Sequence, residues 1–437
     1  MSDDPPAPLR AVREAGAGSL RAQRSFVLFW CARVATMIAQ QMVTVAVGWQ
    51  VYAMTGRALD LGLVGLVQFL PAFVLVLVSG QVADRFDRRR VMQACIAVEA
   101  LAVAGLALGS ATGRIDEPAI FGLIALVGAA RAFQMPAMQA LLPALVPEAL
   151  LSRAIATSAS AGQTAIIAGP ALGGLIYAAG AAVVYAIGVA LLVGAIGLVR
   201  CIRLVHAPGD ARKVTLHSVF AGIRYIRGQP ALLGAISLDL FAVLLGGATA
   251  LLPIYARDIL VTGPLGLGLL RSSTAVGALA MALWLMRHPI GRRAGRTMLA
   301  SVAVFGAATI LFGVSRSFAL SLAALAVLGA ADMVSVVVRQ TLVQLKTPDA
   351  MRGRVGAVNA LFIGTSNQLG EFESGVTAAW LGVVPSVVVG GVGTLLVVLL
   401  WGRLFPELAR TDRLDATLVP PTQPVIRRAS DAPQSPG

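Results

Sequence analysis

Charge is scarce in this chain. Asp, Glu, Lys and Arg together make up only 13% of 437 residues, about half of what a water-facing surface usually carries. That shortfall excludes the two or three soluble domains that the length alone would allow. Histidine and cysteine are close to absent, at three residues each. His206, His217 and His288 fall between apolar runs. Cys31, Cys95 and Cys201 lie in or beside such runs, with no metal-ligand spacing and no disulfide framework. No metal and no other cofactor is expected. There is no Walker loop and no Gly-rich phosphate cradle, so ATP is not the expected energy source. A catalytic constellation is missing as well, which argues against an enzyme. Acids are outnumbered by bases, 21 to 35, giving a net charge of +14. Such a balance points to nucleic acid only where the basic residues share a polar surface. Here they stand in short clusters between apolar runs, and no nucleic-acid partner is expected.

What the chain has in quantity is apolar sequence, 57% of its residues. About 20 apolar residues are needed to cross the hydrocarbon core of a bilayer. By that measure there are twelve segments: 26–54, 60–82, 90–112, 118–146, 150–178, 181–202, 232–256, 264–287, 297–314, 318–346, 352–381 and 384–404. The expected fold class is therefore an all-α membrane protein with twelve transmembrane helices, embedded in a lipid bilayer.

Lys and Arg in the loops give the orientation. With the N-terminus placed in the cytoplasm, 27 of the 35 fall on the cytoplasmic side. Arg57, Arg114, Arg257 and Arg316 fall on the other, and Arg33, Arg131, Arg271 and Arg339 lie within spans. Residues 1–25 are polar with no hydrophobic leader, and read as a cytoplasmic tail. Residues 26–202 form a first six-helix bundle, 203–231 a cytoplasmic central loop, and 232–404 a second six-helix bundle. Residues 405–437, rich in Pro, Ser and charge, are expected to be a disordered cytoplasmic tail. Within the central loop, Leu216, Val219, Phe220, Ile223 and Ile226 share one helical face and Arg224 and Arg227 lie elsewhere. That pattern predicts a short amphipathic helix on the cytoplasmic leaflet.

The two bundles are related by an internal repeat. A shift of 201 residues aligns 125–156 with 326–357 without a gap, with identity at ten of 32 positions. GAAR (128–131) matches GAAD (329–332), and PEALLSR (147–153) matches PDAMRGR (348–354). Two six-helix halves in parallel repeat are a transporter design, with the substrate site between the halves near the midplane.

Charges inside a membrane need a partner or a cavity. The intramembrane set is Glu99, Arg131, Asp239, Arg271, Asp332, Arg339, Glu371 and Glu373. Arg131 and Asp332 are equivalent under the 201 shift and are expected to face one central cavity from opposite halves. Gln134 follows Arg131 one turn later. Gln40, Gln41 and Gln163 sit near mid-depth as candidate substrate ligands. Asn367 and Glu371 are four residues apart and share a face. Glu371 and Asp332 are the candidate proton carriers. Arg33 and Arg339 are expected to snorkel to the interface. For each of these, polar packing is the competing reading.

Two short stretches complete the pattern. GQVADRFDRRR (80–90) follows an uncharged apolar run. Gly80 there permits close helix approach, and Arg85, Arg88 and Arg89 hold the loop on the cytoplasmic side. GPALGG in the fifth span offers Gly169, Pro170, Gly173 and Gly174 as a packing and bending motif.

On these residues the chain resembles the major facilitator superfamily, and within it the bacterial branch of siderophore exporters and macrolide efflux proteins. Gly80, Asp84, Arg85, Arg88 and Arg89 match the superfamily signature between spans 2 and 3, with Asp87 in place of its second glycine. The resemblance implies a conformational latch in which Asp84 faces the start of span 11. It associates GPALGG with export, although Ala156 and Ala165 replace two further glycines of the antiporter pattern. It links Arg131 to proton coupling, with Met135 where the motif has glycine. The function it implies is a secondary transporter, working as a monomer, that exports a small molecule in exchange for protons or sodium ions. An importer of the same fold and a non-transporting receptor stay open. Arg131 suits an anionic, siderophore-like cargo, whereas the acids suit a cationic drug.

Overall fold

The computed structural model describes residues 20–203, 216–291 and 293–411. The expected tails (1–25 and 405–437) and the central loop are covered only in part, because 1–19, 204–215 and 412–437 lie outside the described residues. The spans are α1 (Arg24–Thr55), α2 (Ala58–Arg85), α3 (Arg88–Thr112), α4 (Glu117–Leu141), α5 (Glu148–Tyr177) and α6 (Ala181–Arg200), followed by α7 (Pro230–Leu245), α8 (Gly263–Arg287), α9 (Ala294–Val314), α10 (Phe318–Lys346), α11 (Asp349–Leu381) and α12 (Val383–Leu404). A linker helix, Leu216–Arg227, joins the halves. Among the described residues there is no strand.

Local chemistry sets the ends of these helices. The Asp87 side chain accepts from the Arg89 backbone N–H at 2.9 Å, and Asp116 accepts from Ala119 at 3.1 Å, so each caps the span that follows it. Gly113 ends α3 at φ +65°, a left-handed position that favours glycine. Asp87, which stands where the loop motif has glycine, thus starts α3. Eleven spans are apolar enough to cross a bilayer by composition alone. The remaining one, α11, carries Asn359, Asn367, Gln368, Glu371 and Glu373, and is covered by its neighbours α2, α7 and α12.

Each half has its own core. Phe29, Met42, Ile96, Leu106 and Tyr185 pack in the first, and Leu238, Met298, Val338 and Leu342 in the second, while a further cluster joins Tyr255, Leu267, Phe312 and Leu325 to Val45, Tyr52 and Leu61 across the halves. The halves meet along two seams, α2 on α11 and α5 on α8. Both seams close on glycine. A Cβ on Gly174 would lie 2.3 Å from the Pro264 carbonyl oxygen of α8, and one on Gly375 would lie 2.7 Å from the Cα of Gly62. Those crossings sit toward the face opposite Leu20 and Thr411, the chain ends of the described structure. There, too, Tyr52 of α1 donates its hydroxyl to Asp258, and Arg257 donates to the Tyr52 carbonyl at 3.1 Å. The face bearing Leu20, Thr411 and the linker helix is called the terminal face below.

α7 is a broken span. It stops at Gly246 and resumes as a short 3₁₀ turn, Ala248–Leu251, then Leu252–Ile254, then a π turn, Tyr255–Ile259. Pro253 removes a backbone donor there. The π turn carries Arg257 and Asp258 to Tyr52.

Candidate functional site

The space between the halves is a cavity of ≈ 220 Å³, lined by Gln41, Gln68, Arg131, Arg271, Gln368 and Glu371 among others. A second space of ≈ 410 Å³ shares Gln68, Arg131 and Gln368 with it. It runs toward the terminal face past Phe73, Ala357 and Ala360. The cavity is therefore polar at its inner end, more apolar toward the terminal face, and capped on the opposite face by the glycine crossings.

Arg131 reaches the cavity from α4 and keeps a counter-ion behind it. Its Nε donates to Glu99 Oε1 at 3.3 Å, with 24% of the arginine side chain exposed and 1% of the glutamate. Gln40 Nε2 donates to both Glu99 oxygens, at 2.9 and 3.1 Å, and to Gln134 Oε1 at 3.2 Å. So Gln40 and Gln134 serve the Glu99–Arg131 pair, and Gln41 alone of the adjacent glutamines lines the cavity. Gln163 is half-buried on α5, outside that lining.

Across the cavity, Arg271 of α8 and Glu371 of α11 face each other at electrostatic range without an ion pair. Arg271 Nε is buried and has no hydrogen-bond partner. Glu371 fits into the notch at Gly65, where a Cβ would stand 2.6 Å from Glu371 Oε2. On α11 the residue that joins Glu371 is Gln368. Asn367 is exposed, because the cavity-facing stripe of α11 is 357, 361, 364, 368 and 371, and 367 lies one residue off it.

Asp332 departs from its expected place. It lies beside Asp239 and Ser335, in a small space between α7, α9 and α10, not in the lining of the central cavity. Its position matches that of Arg131 in the repeat, but α10 turns this residue into its own half. Arg339 does not snorkel either. It is 2% exposed and pairs with Asp239 at 2.9 Å, and its Nη1 donates to Asn359 at 3.5 Å. Ser335 donates to Asp239 at 3.4 Å. Two acids thus share one arginine in the second half, while the first half holds a balanced pair.

The loop between α2 and α3 is anchored within the first half. Arg88 donates to the Ala140 carbonyl of α4 at 3.1 Å, and Arg89 to the Ile202 carbonyl after α6 at 2.7 Å. Burial pushes the Asp87 carboxyl up, but hydrogen bonds from Arg89 outweigh it and hold the group below its usual carboxylate range. Arg85 is exposed. Gly80 and Asp84 fall in the last turns of α2 at positions whose surroundings lie outside what is described, so the expected latch does too.

The glycine motif of α5 contacts two helices at once. A Cβ on Gly169 or Gly173 would meet Gln41 or Met42 of α1, at 2.5 and 2.9 Å, whereas Gly174 meets α8. Pro170 offers its carbonyl oxygen at 2.4 Å from where a Cβ on Gly268 would be. Glu99 and Arg271 stand among the intramembrane charges of the sequence but outside its expected site residues. The signal it could have used is charge balance, since an arginine at mid-span needs an acid on an adjacent helix.

Residues 17–426 match the family described as transmembrane secretion effector. The enterobactin exporter EntS of Citrobacter koseri (strain ATCC BAA-895) is 27% identical over 396 residues, which cover 90% of this chain and 94% of that protein. EntS of Escherichia coli O1:K1 is 26% identical over the same lengths. Among solved structures, a bacterial homologue of the iron transporter ferroportin in an inward-facing state superposes with a TM-score of 0.67 at 16% identity, over 90% of this chain and all of that one. The nucleoside transporter NupG (D323A mutant) gives 0.70 at 12% identity, over 87% of this chain and 100% of that one.

Proposed function

The chain belongs to the transmembrane secretion effector family of major facilitator transporters, and from that premise we propose that it exports a small, siderophore-like anion from a bacterial cytoplasm in exchange for protons. It is a transporter, not an enzyme, like its relatives. The observation that carries the reading is the central cavity, lined by Arg131 and Arg271 and closed toward the face opposite the chain ends. With the termini in the cytoplasm, as the distribution of Lys and Arg favours, this is the state that loads cargo from inside.

Cargo charge follows from the lining. Arg131 is already balanced by Glu99, and Arg271 has only Glu371 at a distance. An anion entering the cavity meets the Arg271 guanidinium, which lines it without an ion-pair partner among the described residues, and such a contact is worth most away from water. The EntS relatives are named for exporting enterobactin, which supports the siderophore-like class.

The coupling proton belongs at Asp332. Asp239 and Asp332 share Arg339, so this cluster carries one unbalanced negative charge inside the membrane unless a proton neutralises it. Because Asp332 stands off the cavity, proton and cargo do not compete for one group. They are coupled through which state each stabilises.

Proton flux in everted membrane vesicles tests this. Vesicles carrying the protein should release protons when challenged with siderophore-like anions. Arg271→Gln should lose the response by about tenfold or more. Asp332→Asn should keep downhill cargo flux but lose its dependence on a pH gradient. Full pH-driven transport in the Asp332→Asn variant overturns the proton assignment, and a response to cations alone overturns the cargo class.

A further inference from the structure

The linker helix does not simply lie on the bilayer. Ile226 is buried with Leu232, Ile236, Val343, Val355 and Val358, and Ile223 packs against that cluster. A Cβ on Gly222 would stand 2.8 Å from the Arg354 carbonyl oxygen, and Tyr225 donates its hydroxyl to the Lys346 carbonyl at 2.6 Å. The helix is thereby fixed against the end of α10 and the start of α11. Between it and α11 runs a groove of ≈ 520 Å³ lined by Phe220, Arg224, Tyr225, Gln229, Met351 and Arg354, with Ala221 and Gly228.

We infer that this groove is a binding site for the headgroup of an anionic phospholipid from the leaflet at the terminal face. Two guanidinium groups line it and, among the described residues, no carboxylate does. Among the described residues neither arginine has an ion-pair partner. Arg354 Nη1 meets only the Met351 sulfur, at 3.5 Å, a weak acceptor that leaves its donors available to something stronger. A phosphate diester supplies such acceptors and matches the planar geometry of arginine.

The apolar side of the groove distinguishes a lipid from a free phosphate. Phe220 is 65% exposed at the groove, where an aromatic ring at the membrane edge meets glycerol and upper acyl chain. Met351 adds a second apolar surface. A free phosphate uses the arginines and leaves Phe220 in water, whereas a phospholipid uses both. The inference is independent of cargo and of transport direction.

The test is lipid retention by the full-length protein in nanodiscs of mixed phosphatidylglycerol and phosphatidylethanolamine, read by native mass spectrometry. Wild type should retain phosphatidylglycerol several-fold over phosphatidylethanolamine. Arg224→Ala/Arg354→Ala should weaken that retention about thirtyfold, since each basic residue near an anionic surface is worth about fivefold. Arg224→Lys/Arg354→Lys should keep most of it. Phe220→Ala should weaken retention of the lipid without changing displacement by inorganic phosphate. Equal retention of the two lipids by wild type, or unchanged retention by the double alanine variant, overturns the inference. If the double variant does not survive purification, the wild-type preference still decides. Displacement of the lipid by millimolar inorganic phosphate, together with no effect of Phe220→Ala, would assign the groove to free phosphate instead.

Discussion

At the scale of single residues, Glu99 governs what Arg131 can do. Alone at mid-span, Arg131 would be a costly charge. With Glu99 buried behind it and Gln40 bridging to Gln134, it is a held guanidinium with one side free to the cavity. Glu99→Ala leaves that cation without its partner and should destabilise the protein by about 3 kcal/mol, at the low end for a buried pair because Arg131 is partly exposed. The thermal unfolding midpoint in detergent measures it, and Glu99→Ala/Arg131→Ala should cost clearly less than the two single changes summed. Asp87 offers a second check. Its folded pKa lies below the unfolded value, so its stabilising effect is complete above the unfolded carboxylate pKa and is lost as pH falls through the lower, folded one. Asp87→Asn should flatten the acid end of the stability profile, and Asp87→Ala should cost about 1 kcal/mol at every higher pH through loss of the cap. Residue roles were the least legible part of the sequence. Asn367 and Gln368 are neighbours with equal polarity, and only the rotation of α11 separates an exposed amide from a cavity ligand. Arg339 read as a snorkelling side chain because its acid, Asp239, is a hundred residues away and on another helix.

At the scale of elements, the sequence was far more legible. Twelve apolar runs, loop arginines and a 201-residue repeat are one-dimensional signals, and the observed spans follow them to within a few residues at most ends. The exception is α7, a single apolar run over 232–256 whose helix is broken at Gly246. The tell-tale residues, Gly246, Gly247 and Pro253, are in the sequence, but Gly and Pro are common in membrane helices and break them only where neighbours satisfy the freed backbone. The helix seams are a second element-scale feature. Gly174 and Gly268 let α5 and α8 touch backbone to backbone, so a methyl group cannot be added without moving a helix. Gly174→Ala should cost the closed seam about 1–3 kcal/mol while leaving each half folded. A membrane-impermeant thiol reagent applied at the face opposite the chain ends should then label Leu61→Cys, which lines the central cavity, about tenfold faster than in a parent with Cys31, Cys95 and Cys201 replaced. An unchanged rate would mean that α5 and α8 do not gate that face.

At the scale of the whole molecule, the arrangement of polar groups across the two halves is asymmetric, and the asymmetry follows the expected work. The first half holds a balanced pair, Glu99–Arg131. The second holds Asp239 and Asp332 around one base, Arg339, beside Arg271 and Glu371. Between them, on the face away from the chain ends, α1 meets α7 through Tyr52. Its hydroxyl is held by Asp258, its carbonyl by Arg257, and its ring lies 5.5 Å from the Arg257 guanidinium. These contacts cross the closed face, so under the proposed alternating access they favour the state closed there. Tyr52→Phe removes one hydrogen bond to a carboxylate, worth about 1.5–3 kcal/mol, and keeps the ring. It should raise the open fraction at that face roughly tenfold or more, read as a longer distance between spin labels on the outer ends of α1 and α7. Gly174→Ala acts on the other seam of the same face, and the two changes share no contact. If closure is one two-state event of the whole molecule, their effects on the open fraction should multiply. If each seam opens by itself, Gly174→Ala should leave the α1–α7 distance untouched, and alternating access as a rigid rocking of two halves would have to give way to local gating.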